Sequence, residues 1–198
     1  MKEHLSNMRI PLNLDAIGPY SDLQLYNFCI ANKELRIERD AQGQLYIMSP
    51  TGTESSFHNY DIGFELGIWN RKHNLGRISE SNGGYILADG SMRAPDIAWI
   101  SNDRLNSLSD EDSKGFMKIC PDFVIELMSE TDRLADSKQK MQHWLENGVR
   151  LACLVSPRTR ITHVFREDVY EREIPFDDLL HGYEVLPGFS LRMADIIS

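Results

Sequence analysis

Apolar positions recur along this chain with two periods, and the switches between them divide it into elements. Ser21 to Asn32 predicts a helix, and LRIERDAQGQLYIMS then alternates around the turn residues Gln42 and Gly43, which predicts a hairpin. Phe57, Ile62, Leu66 and Trp69 return at helical intervals, so a helix is expected here, with Gly76 as its stop. RISE, GGYILADG and APDIAWI are short and bounded by Gly, Asn or Pro, and predict a meander of strands. Residues 101–118 are polar, carry the acidic run Asp110, Glu111 and Asp112, and suit a surface excursion with one helical turn.

FVIELMS is a continuous apolar run with one charge, Glu126, the mark of a central strand covered on both faces. The segment SETDRLADSKQKMQHWLENGV predicts a helix with Ser129 and Asp132 spaced as a capping box and Gly148 as its stop. RLACLVS and ITHVFR predict two more strands, separated by Pro157 and a basic turn with Arg158 and Arg160. A short strand near Ile174 and the apolar segment FSLRMADII complete the chain. Strands alternate with helices through its middle and end, so an α/β fold with a mixed sheet and helices packed on it is expected.

At 198 residues the chain suits one domain: an N-terminal helix and hairpin over 1–50, a core over about 51–166, and a C-terminal strand and tail over 167–198. It contains no apolar run of the roughly 18–20 residues that a membrane span requires, and MKEHLSNMRI lacks a signal peptide's apolar stretch. Cys29, Cys120 and Cys153 are odd in number and set among apolar neighbours, a pattern of buried thiols. A reducing, cytoplasmic location is expected. The net charge of -9 argues against a protein that coats nucleic acid. It leaves room for an enzyme that grips one phosphate through a metal, because carboxylates gathered around a cation make the total more acidic.

Candidate chemistry centres on two acids. A carboxylate within a buried strand is costly unless a cation, a metal or hydrogen bonds compensate it, so Glu126 requires a partner, whether a metal or an arginine such as Arg93. Asp96 follows Pro95 at the start of DIAWI, at a strand end where α/β sheets commonly build sites; by itself it also fits an ordinary turn. Two such acids could hold one hard divalent cation, with the Leu127 carbonyl as a third ligand.

The segments MRAPDIAWI and PDFVIELMSETD, with Lys140, NGVRLACLVSP, GQLYIMSPTG and His58, resemble the Uma-two family of the PD-(D/E)XK nuclease superfamily over roughly residues 34–166. The resemblance implies a restriction-endonuclease-like mixed β-sheet flanked by α-helices and a DNA endonuclease acting on phosphodiester bonds. It also implies magnesium, with manganese as a substitute, on Asp96 and Glu126, and a homodimer that addresses two strands. The superfamily's lysine stands two residues after the second acid, where this chain has Met128. The Uma-type pattern selects Lys140, eight residues before Gly148, whereas the stripe Leu134, Lys138, Met141 and Leu145 points to Lys138. The displaced lysine and the acidic charge suit a second reading, a nuclease-like fold that binds nucleic acid or a protein partner without cutting.

Other candidates carry less. Glu65 could extend the metal site but suits an exposed acid, and His143 and His163 lack metal-ligand spacing and suit surface or strand positions. The serines of SPTGTESS lack the G-x-S-x-G elbow, and SPTG lacks the ending of a phosphate loop. Trp69, Trp99 and Trp144 read as core aromatics. A basic rim for nucleic acid is expected from Arg133, Lys138, Lys140, Arg158 and Arg160.

Overall fold

The computed structural model describes residues 9–14 and 18–197. Its elements run β1 (Ile10–Pro11), α1 (Asp22–Ala31), β2 (Arg36–Arg39), β3 (Leu45–Met48) and α2 (Thr53–His73). They continue with β4 (Gly76–Glu80), β5 (Tyr85–Ile86), β6 (Met92–Arg93), β7 (Ile97–Ser101) and α3 (Asn102–Asn106). The rest are β8 (Phe123–Leu127), α4 (Leu134–Glu146), β9 (Leu151–Ser156), β10 (Ile161–Arg166), β11 (Val169–Pro175), β12 (Leu179–His181) and β13 (Ser190–Arg192).

The main sheet has the order β11-β10-β9-β8-β7-β4, antiparallel except for the parallel pair β8–β9. A parallel pair needs a crossover, and α4 supplies it. Alternation in β8 divides the core. Phe123, Ile125 and Leu127 share one apolar cluster with Ile62, Leu66 and Trp69 of α2, and Val124 shares another with Met141 and Trp144 of α4. The sheet is therefore covered on both faces, and Glu126 projects toward α4.

A second sheet, ordered β1-β3-β2-β6-β5, packs with α1 around Leu25, Ile37, Leu45, Ile86 and Met92. The expected meander is thus divided: β4 and β7 belong to the main sheet, but the chain between them crosses to the small one. Hydrophobic period marks strands without saying which sheet they join.

Two boundaries also differ from expectation. Asn74, in the left-handed region at φ 52°, caps α2, whereas Gly76 opens β4, where a Cβ would come 2.1 Å from the Ile100 carbonyl oxygen. The glycine serves close strand packing rather than helix termination. The Ser129–Asp132 pair closes a turn, with the Ser129 N–H donating to Asp132 Oδ2 at 2.7 Å, and α4 begins only after Arg133. Gly148, at φ 103°, does follow the helix end. None of the helices is long and apolar enough to cross a membrane among the described residues.

Candidate active site

β7 and β8 bring the two sequence-selected acids together. Ile97 pairs with Ile125 in an antiparallel ladder, and one step further along that register Asp96 stands opposite Glu126 on the same face. Asp96 Oδ2 accepts the Leu127 N–H at 2.9 Å, which fixes the carboxylate against the end of β8 and leaves Oδ1 facing Arg36 at 4.0 Å.

α4 completes the pair. Lys140 Nζ lies 2.7 Å from Glu126 Oε1, and Trp144 Nε1 donates to the same oxygen at 3.0 Å. Lys140 and Trp144 are four residues apart and so share a helix face. Lys138 takes another direction and meets Glu171 of β11 at 2.5 Å. Met141 and Trp144 form the buried centre of α4, and the two lysines flank it on opposite sides, one toward β8 and one toward β11. A one-dimensional stripe cannot decide which flank reaches the acid, since that depends on how the helix crosses the strands.

The small sheet contributes a third acid that the sequence did not reveal. Glu38 of β2 is buried; its Oε2 pairs with Arg93 at 2.9 Å and Arg9 at 3.6 Å, while its Oε1 has no hydrogen-bond partner. Arg93 therefore belongs to Glu38, and Glu126 is compensated by Lys140 and Trp144 instead. Within RIER, Glu38 looks like one charge among several on an exposed hairpin, and only the packing of the small sheet against the main one buries it.

Together these residues line a cleft of about 650 Å³ between the small sheet, the end of β8 and the N-terminal half of α4, with Leu127, Met128, Arg133 and His143 also on its walls. Burial pushes Glu126 up to about 7; Asp96 and Glu38 act in the same sense and Lys140 opposes them. Burial acts on Glu38 too, but Lys140, Arg93 and Arg9 outweigh it and hold that carboxyl below its ordinary value. Lys140 is raised despite its burial because Glu126, Glu38 and Asp96 surround it with negative charge. By donor type these residues suit a divalent ion, since carboxylates offer the hard oxygens that magnesium or manganese favours, and Oε1 of Glu38 accepts no hydrogen bond from the protein.

Several other expectations are resolved by position. Arg158 and Arg160 do not line the cleft, and Arg160 instead reaches the Ile197 carbonyl at 3.3 Å; Arg9, Arg36 and Arg93 furnish the positive wall in their place. Asn59 and Ser55 represent α2 on the lining, rather than His58 or Glu65. The three tryptophans are buried, yet Trp144 also donates a hydrogen bond to Glu126. His143 meets Asp89 at 2.7 Å. Cys153 is buried and Cys29 and Cys120 are partly so, all three as free thiols.

A second cluster joins His163, Glu171 and Glu173, whose ligand atoms lie within 4.8 Å of one another. The Lys138 ammonium already supplies positive charge to Glu171 there, so this cluster reads as a closed ion-pair network tying α4 to β11.

Among curated proteins none matches this chain. Among solved structures the fold is similar to that of a "putative nuclease belonging to DUF820" from Anabaena variabilis, with a TM-score of 0.73 and 16% identity, covering 90% of this chain and 98% of that one. At that identity the likeness is one of fold. The model of the Uma2 family, described as "Putative restriction endonuclease", matches residues 21–194, a span that contains Glu38, Asp96, Glu126 and Lys140. The chain belongs to the Uma2 family.

Proposed function

We propose that this protein is a magnesium-dependent DNA endonuclease that hydrolyses phosphodiester bonds in the cleft between its two sheets. The observation that carries the reading is the meeting of Glu38, Asp96 and Glu126 with Lys140 in one cleft. Asp96 and Glu126 are the proposed metal ligands, and the Leu127 carbonyl is a further candidate at the end of the same strand as Glu126. Bound there, magnesium or manganese would supply Lewis acidity toward a phosphoryl oxygen and make water more acidic.

The protein's own groups have distinct tasks in this reading. The Leu127 N–H and the Trp144 indole hold one oxygen each of Asp96 and Glu126, which pre-orients the carboxylates without requiring reorganisation. Lys140, with its pKa raised, keeps its proton. It is thereby suited to steady the developing negative charge on the phosphate and to donate at the leaving oxygen, while the proton of the attacking water, made more acidic by the ion, would pass to solvent, from which the lysine is reprotonated. Arg36 and Arg93 border the same space and can meet flanking phosphates. A homodimer, implied by the likeness, would address both strands with one such cleft per subunit.

The test is a cleavage assay on plasmid and single-stranded DNA with magnesium or manganese, paired with calorimetry. Asp96→Ala and Glu126→Ala should each abolish divalent binding. Lys140→Met should retain it yet cleave about 10²- to 10⁴-fold more slowly, while Lys138→Met cleaves near the wild-type rate. Loss confined to Lys138→Met would reverse the assignment of the lysine. A wild type that binds DNA but cuts none with either metal would favour the non-cutting reading.

A further inference from the structure

The 21-residue helix α2 buries Ile62, Leu66 and Trp69 on the main sheet, but its opposite face is also apolar. Phe57, Tyr60, Phe64 and Ile68 are 63%, 71%, 55% and 52% exposed, and the rings of Tyr60 and Phe64 stack with centroids 6.2 Å apart. These positions recur every three or four residues, so they form one stripe, and no described residue covers it. Aromatic side chains enclose ~150–250 Å² each, so these exposures leave roughly 450 Å² of apolar surface in a single patch. Patches of several hundred Å² on a soluble protein mark interaction surfaces.

The charged ends of the same helix complement a second copy of it. Glu54 and Asp61 lie in the half toward the N-terminus, Glu65 stands just past the middle, and Arg71, Lys72 and His73 form the last turn. Antiparallel pairing of two copies about Phe64 would set Glu54 beside Arg71 and Lys72 of the other copy, whereas parallel pairing would align like charges. The same axis brings Tyr60 over Gly67 and Ile68 of the second helix, and nothing stands within 4 Å of the place a Gly67 side chain would occupy. Two stripes face to face would enclose roughly 900 Å², and the charged flanks bring the total toward the ~1,200 Å² at which stable interfaces begin.

We propose that α2 is the homodimer interface, two copies packing their Phe57–Ile68 stripes antiparallel across a twofold axis centred near Phe64. The proposal gives a location to the dimer in the functional reading, but association is read without DNA or metal, so either can fail while the other stands. Sedimentation velocity across about 1–100 µM should give a dimer for wild type, a range that covers micromolar affinities. Phe64→Asp should be monomeric with an unchanged far-ultraviolet spectrum, which guards against misfolding. Glu54→Lys and Lys72→Glu should each weaken association, and their combination should restore it, as only antiparallel pairing demands. A monomeric wild type at the highest concentration would overturn the proposal and leave the stripe to a different partner. So would a dimer that persists in Phe64→Asp, or a double charge exchange that fails to rescue.

Discussion

Glu126 concentrates the electrostatics of the cleft in one group. Its ordinary value is 4.5 and burial raises it to about 7, so between those pH values the folded protein holds a proton that the unfolded chain has released. Stability attributed to this group is therefore complete below pH 4.5, declines as pH rises, and has gone above about 7. The span corresponds to about 3 kcal/mol across the window. Glu126→Gln keeps the shape and the oxygen that Trp144 contacts but cannot titrate. Urea unfolding in chelator should show wild type losing stability from pH 5 to 7.5 while the variant stays flatter; parallel slopes would show that Glu126 is not the titrating group. Glu126 stood out in the sequence because it is the sole charge in an apolar run. Glu38, equally buried, did not, since nothing local separates it from the arginines on either side.

The elements were legible where one period ran unbroken, as in α2, β8 and β9, and less so where the chain changes layer. β5 and β6 look like members of a meander, but pairing partners are chosen by tertiary packing, and these strands join Tyr85 and Met92 to the small sheet. The same limitation affects the basic surface. The β9–β10 turn holds Arg158 and Arg160 in sequence, yet Arg160 packs over Phe176 toward the C-terminal segment, while Arg133 at the start of α4 lines the cleft. Arg133→Gln should make the salt dependence of DNA binding shallower by about one unit of slope, and Arg160→Gln should leave it as in wild type. Equal slopes for wild type and Arg133→Gln would place the phosphate contacts elsewhere on the cleft.

At the scale of the molecule, the cleft exists because two sheets meet, and the three acids around Lys140 come from both: Glu38 from one, Asp96 at the entry of β7 and Glu126 from the other. Gathering like charges opposes that meeting unless a cation intervenes. Lys140 is such a cation, covalently part of the fold and held against Glu126. Many small metal-binding domains unfold when stripped of their ion because nothing else neutralises the ligands. Here the ammonium acts as an internal counterion, so the protein should stay folded in chelator, with a melting temperature lowered by no more than the ion's binding to the native state contributes. Lys140→Met removes the counterion and should make the melting temperature rise more steeply with added magnesium than in wild type, since only the native state binds the ion. The difference between the two magnesium dependences would measure how much of the ion's charge the lysine already supplies.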